Sequence, residues 1–280
     1  MPSQQDKAAL FHHLHHSGKV LLLPNIWDPF GALLLEDLKF QAIATASASI
    51  AYSNGYNDGE NIPFAKLIGI LKGITARVSV PVSADIESGY ASDNAHLAEN
   101  IKQIIDTGVV GINLEDTDAK TGTLLPTSVQ CKKIECIRNT AEQMNVRLFI
   151  NARTDVFIEG SFNGSMEEKV AEAISRAQQF KSAGGDGFYP VLLKDTGAIK
   201  KIVEEVDMPV NIIMMPGMPG LSVLQKIGVA RVTLGPGFFK IAVKALRDLA
   251  SKLQNMEGVD EVMSNDVTSD YLKKLTSKSQ

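Results

Sequence analysis

Long apolar runs are missing from this chain. No stretch approaches the roughly twenty residues needed to cross a bilayer, and no basic start is followed by an apolar core at the N-terminus. The sequence therefore reads as a cytoplasmic protein with no membrane partner. Cysteine is scarce: Cys131 and Cys136 are the only two, without CxxC or Cys/His spacing. That argues against a disulfide framework or a thiolate zinc site and for reduced thiols. A basic excess is also lacking; the net charge is -4, which leaves no electrostatic footprint for nucleic acid. A GxGxxG turn after the first strand-like run is absent, which weighs against an open doubly wound sheet. Lysine is absent from the strand-like runs, so a Schiff-base aldolase ranks last among barrel chemistries.

What the chain has is apolar content, 44% of 280 residues, enough to bury a full core. Eight short apolar, β-rich runs recur, at 20–24, 41–46, 80–86, 109–114, 147–151, 187–191, 210–215 and 230–234. Segments between them, such as 94–107, 127–144, 166–183 and 193–206, carry the 3.6-residue apolar spacing of helices laid on a sheet. Regular alternation in this number predicts an α/β fold of the closed (β/α)8, TIM-type barrel class. The expected organisation is one barrel domain over 1–255, opened by an N-terminal helix at 5–17, and a helical or partly disordered tail over 256–280.

Charged residues gather at the ends of these runs. Asp85 and Glu87 stand two apart, on one face of an extended strand, and Glu115 and Arg153 end later strands. The run leading to Asp58 is read as a fourth member. Carboxylates that end consecutive parallel strands share one mouth, and uncompensated they repel one another and raise each other's pKa values. Asp85, Glu87, Glu115 and Asp58 are accordingly the candidate ligands of a hard cation such as Mg²⁺, with Mn²⁺ possible. Arg153 presents a planar fork suited to a carboxylate or phosphonate, unless it forms an ion pair with Asp155 or Glu115. Ala46 and Ser47, in the small-residue turn ASAS (46–49), offer backbone N–H groups to an anionic oxygen. The polar segment 116–126 could form a lid in which Lys120 supplies charge or a proton. His12, His13, His15 and His16 read as a helix surface rather than a metal tract. The turn GPG at 235–237 is either a phosphate cradle or plain turn geometry.

Taken together, LPNIWD (23–28), GYNDGE (55–60), SADIESG (83–89), NLED (113–116), NARTD (151–155) and LGP (234–236) resemble, in order, the isocitrate lyase/phosphoenolpyruvate mutase superfamily, over roughly 18–250. The resemblance implies a Mg²⁺-dependent barrel that exchanges its eighth helix between subunits of a homodimer or homotetramer and acts on 2-oxo acids through an enolate-like intermediate. It makes Asp85 the main metal ligand, with Glu87, Glu115 and Asp58 reached directly or through water. Arg153, with the backbone at Ala46 and Ser47, would hold the substrate. Lys120-Thr121-Gly122 stands where the lyases carry a KKCGH or KRCGH lid, and Pro190 stands where some members carry histidine. The expected activity is cleavage or rearrangement of a C–C or C–P bond in a small 2-oxo acid or phosphonate, of oxaloacetate decarboxylase/hydrolase or phosphonomutase type. The alternative is a catalytically silent barrel that binds a 2-oxo acid and a metal.

Overall fold

The computed structural model describes residues 2–277. Helix α1 (Gln4–His15) opens the chain. Strands β1 (Leu21–Leu23) and β2 (Asn25–Ile26) are two parts of one strand position, separated by Pro24, which has no N–H to give a ladder. There follow α2 (Pro29–Asp37), β3 (Ile43–Thr45), the pair α3 (Ser47–Ser53) and α4 (Phe64–Thr75), and then β4 (Val82–Asp85) and α5 (Asn94–Asp106). The second half runs β5 (Gly111–Glu115), α6 (Thr127–Gln143), β6 (Phe149–Thr154), α7 (Met166–Ser182), β7 (Gly187–Pro190), α8 (Thr196–Glu205), β8 (Asn211–Ile213), α9 (Leu221–Lys226) and β9 (Arg231–Thr233). Helices α10 (Gly237–Gln254), α11 (Val259–Met263) and α12 (Ser269–Ser277) complete it.

Every pairing among these strands is parallel. One ladder runs β2-β3-β4-β5-β6-β7 and the other β1-β9-β8. A bridge between Phe188 and Val210 joins β7 to β8, and β1 continues into β2, so the ring closes as the expected barrel. All eight expected strand runs occur, trimmed by a residue or two at most ends.

Two apolar clusters hold it. The larger packs the sheet's outer face against α2 and α4 to α9, around residues such as Ile74, Ile112, Ile150 and Phe180. The smaller lies inside the N-terminal end of the barrel, where Phe11 and Leu14 of α1 meet Leu21, Leu23 and Phe149. Here the reading of the histidine tract as a helix surface needs correction. His12 and His15 are buried, and His15 stacks on Phe149 at 4.0 Å between ring centroids. Nδ1 of His15 lies 2.8 Å from the Phe11 carbonyl and Nε2 of His12 lies 3.1 Å from that of Arg147. Helix α1 is thus a plug in the barrel floor, and desolvation lowers the pKa of both rings.

At the other end of the chain, α10 buries none of its residues and leaves Ile241 and Leu246 67% and 70% exposed. The described part of the expected tail, 256–277, contains α11 and α12. Helix α12 turns back against α2 and buries Leu275. Residues 278–280 of that tail lie outside the described residues.

Candidate active site

Asp85 ends β4, Glu115 ends β5 and Arg153 lies in the last turn of register on β6, all at the C-terminal mouth of the barrel. Glu115 and Arg153 are register partners on neighbouring strands. Asp58 does not end a strand as expected; it sits in a turn after α3, because the chain leaves β3 directly into that helix. It nevertheless reaches the same mouth, where desolvation and the charge of Asp85 raise its carboxyl above the ordinary value.

Ser47, the first residue of α3, does not stand free as an anion cradle. Its Oγ donates to Asp85 Oδ2 at 3.0 Å and its N–H points to the same oxygen at 3.3 Å. Ala46 is the N-cap that turns β3 into α3 and so aims those donors. The other oxygen, Asp85 Oδ1, is buried and meets no donor among the described residues. A buried carboxylate oxygen without a partner is costly, and a cation or an ordered water removes that cost.

Glu87 lies just past β4 in a loop of unusual backbone. Glu60, Glu87 and Tyr90 all have positive φ, at 57°, 52° and 55°. Such values are uncommon for residues other than glycine and cluster at functional sites. Gly89 is obligatory between them: its φ is +106°, and a Cβ there would come within 2.6 Å of Leu97. The three strained residues hold one another. Tyr90 Oη donates to Glu87 Oε1 at 2.8 Å, Glu60 N–H to Glu87 Oε2 at 2.7 Å, and Glu60 Oε1 accepts from Ser88 Oγ at 2.6 Å and from Tyr90 N–H at 2.8 Å. Burial first, and the charges of Asp58 and Asp85 next, push the Glu87 carboxyl up to about 7, against the hydrogen bond from Tyr90. Sequence reasoning missed Glu60 and Tyr90; Glu60 closes the GYNDGE motif, and Tyr90 directly follows SADIESG without belonging to it.

Arg153 is already engaged. Its Nη1 lies 2.7 Å from Glu115 Oε2, its Nε donates to Asp155 Oδ1 at 2.6 Å, and its Nη2 to Asp155 Oδ2 at 3.2 Å. The ion-pair alternative considered for this residue is therefore what the structure shows. Part of its donor fork stays unspent. Burial opposes the guanidinium charge, but Glu115 and Asp155 outweigh it and raise the pKa. Burial likewise raises Glu115, with Arg153 opposing.

The expected lid forms a small hairpin in which Thr117 bridges Leu124 in antiparallel fashion. Lys120 sits exposed on its tip, where its N–H donates to Asp118 Oδ1 at 2.9 Å. Asp116 belongs to the base of the hairpin rather than to a moving part. It is buried and accepts from Thr154 Oγ1 at 2.7 Å, Asp155 N–H at 2.8 Å and Arg176 Nη1 at 3.0 Å. At 235–237 plain turn geometry prevails, since the N–H groups of Leu234 and Gly235 are both spent on Asn25 Oδ1.

Among the described residues, no three Asp, Glu, His or Cys side chains form a ready-made metal cage. The four expected ligands meet at one mouth, but Glu87 faces Tyr90 and Glu60 while Glu115 faces Arg153. That donor set fits a magnesium-type centre with one direct carboxylate, Asp85, and the others reached through water, the arrangement a strongly hydrated octahedral ion prefers. The orphaned Asp85 Oδ1 is the observation that supports the fit.

A closed parallel barrel whose strand ends gather carboxylates and an arginine at the C-terminal mouth has the build of a barrel enzyme. The profile of the phosphoenolpyruvate phosphomutase family matches residues 11–254, and the chain belongs to that family, within the isocitrate lyase/phosphoenolpyruvate mutase superfamily of lyases and phosphonomutases. An uncharacterised protein of Mycobacterium tuberculosis is 32% identical over 225 residues, 80% of this chain and 81% of the relative. An oxaloacetate decarboxylase of Pseudomonas savastanoi pv. phaseolicola is 26% identical, with 94% of this chain and 90% of the relative covered. Among solved structures, a Burkholderia cenocepacia protein described only provisionally as a phosphonomutase superposes with a TM-score of 0.84 at 35% identity, covering 88% of this chain and 99% of that one. A phosphonopyruvate hydrolase complex with oxalate and Mg²⁺ shares the fold at TM-score 0.85 and 20% identity, with 97% and 95% covered.

Proposed function

We propose that this protein is a Mg²⁺-dependent enzyme that cleaves or rearranges a C–C or C–P bond of a small 2-oxo acid or phosphonate through an enolate-like intermediate. Oxaloacetate decarboxylase/hydrolase-type and phosphonomutase-type reactions both remain within this reading. The observation that carries it is Asp85, with one oxygen oriented by Ser47 and the other buried and unpartnered, set among Asp58, Glu87 and Glu115 beside Arg153. A divalent ion held there supplies an electrophile for the negative charge that grows on the keto oxygen as a bond to C3 breaks.

The chain's own residues do the rest. Asp85 anchors, and Ser47 fixes which of its oxygens faces the mouth. Tyr90 and Glu60 lock Glu87 in place, and the unspent N–H groups of Arg153 hold the substrate carboxylate. Thr117 Oγ1 donates to Asp155 Oδ2 at 2.6 Å, which ties the lid's first residue to the partner of Arg153. Asp58, its carboxyl raised as those of Glu87 and Glu115 are, is one of the mouth groups suited to hold a proton. Turnover of oxaloacetate or phosphonopyruvate with Mg²⁺, lost in Asp85→Ala, tests the reading.

The two ion pairs of Arg153 favour a second reading, a silent barrel that binds a 2-oxo acid and a metal; binding without turnover of any 2-oxo acid would establish it instead. In assembly, the uncovered apolar face of α10 supports a homodimer or homotetramer built on that helix.

A further inference from the structure

Beside the mouth, not in it, lies a cavity of about 460 Å³ between the loop after β4 and the lid. Its volume falls in the range of small-molecule sites. Its walls are one hydrogen bond from Glu87 on one side and two from Arg153 on the other. Tyr90 and Glu60, which bind Glu87, form one wall, and Thr117, which binds the Arg153 partner Asp155, forms another. A ligand too long for the mouth would extend into this space.

The polar balance of the cavity favours an acceptor. Its carboxylates are occupied: Asp93 takes the His96 N–H and Nδ1 and Ser92 Oγ. Asp118 takes the N–H groups of Lys120 and Thr121, and Glu60 takes Ser88 and Tyr90. The lysines are not. Lys133 reaches the cavity from α6, half-buried, and has no hydrogen-bond or ion-pair partner among the described residues. Burial lowers its pKa, with the charges of Glu60, Glu115, Asp116 and Asp118 opposing, none of them within ion-pair distance. Lys120 looks in from the lid, and Leu97, Leu125 and Val129 supply an apolar stretch for a methylene stem. A desolvated ammonium without a partner gains most from an anion brought to it.

We propose that this cavity is a subsite for a second acidic group of the substrate, bound by Lys133, so that the preferred 2-oxo acid carries a carboxylate distal to the reacting end. The inference rests on the 2-oxo acid reading of the mouth. Calorimetric titration in Mg²⁺ of oxalate, 2-oxoadipate and 2-oxohexanoate tests it, the last having the same chain length as the second and no distal carboxylate. Wild type is expected to bind 2-oxoadipate at least about tenfold more tightly than 2-oxohexanoate, the scale of one charge-assisted hydrogen bond. Lys133→Met should erase that preference and leave oxalate affinity within about twofold, as expected for a site outside the contact. Lys133→Arg should retain part of the preference, and Lys133→Gln replaces the Met variant if that one does not fold. No preference in wild type, an unchanged preference in the neutral variant, or equal loss for all three ligands would overturn the subsite while the mouth reading stands. Wild type that ignores oxalate in Mg²⁺ would overturn the mouth reading, and the subsite with it.

Discussion

Glu87 makes the mouth sensitive to pH in a direction that can be worked out. Its carboxyl titrates near 7 in the folded chain against an ordinary value of 4.5. Between those values the folded state keeps a proton that the unfolded state has lost, so this group's contribution to stability falls as pH rises toward about 7 and then levels. Removing the charge with Glu87→Gln should raise the metal-free melting temperature relative to wild type at pH about 8 and leave it nearly unchanged at pH about 4. Thermal melting at both values checks this; an equal offset at both would contradict it. A ligand carboxylate must be ionised to bind a cation, so Mg²⁺ affinity should increase from pH about 6 to about 8. Asp85, Glu115 and Arg153 were legible in the sequence because strand ends announce a mouth. What Arg153 would face was not, because Glu115 and Asp155 compete for its fork and only geometry decides. Lys133 gave no signal at all: a lysine on a helix looks solvated until the cavity beside it is seen.

At the level of the element, the lid is fastened at its base by one arginine. Arg176 of α7 is buried, and its Nη1 donates both to Asp116 Oδ2 and to the Leu125 carbonyl, each at 3.0 Å. Those residues flank the hairpin at its start and end. Its Nε also reaches Glu172 at 2.7 Å. Arg176→Met leaves the buried Asp116 without its cation and should cost about 3–5 kcal/mol, since breaking a buried pair strands the other charge. The variant should also become susceptible to proteolysis between 117 and 124. Denaturant melts and limited digestion check this, and unchanged values in both would contradict the clamp. The alternation of strand and helix could be read from periodicity alone, and so could the lid, from its polar composition. The division of the first strand at Pro24 could not, since the proline falls at a strand end whichever way the run is read.

Over the whole molecule, closure and assembly decide more than composition shows. The barrel floor is sealed by α1, whose His12 and His15 look polar in sequence but pack on Phe149, with burial lowering the pKa of both rings. At the opposite extreme, α10 has strong helical periodicity yet buries none of its residues: Phe239 packs on Trp27, while Ile241 and Leu246 stay exposed, the face on which the proposed assembly would be built. Leu246→Glu should reduce the sedimenting species to a monomer while a wild-type sample sediments as a dimer or tetramer; a monomeric wild type, or an unaffected variant, would contradict that assembly. The central claim concerns the mouth that this architecture builds, and one measurement tests it most directly: calorimetric titration of the metal-free protein with oxalate, with and without Mg²⁺, for wild type and Asp85→Ala. The account predicts tight binding only for wild type with Mg²⁺; oxalate binding that ignores the metal, or that survives loss of Asp85, would contradict it.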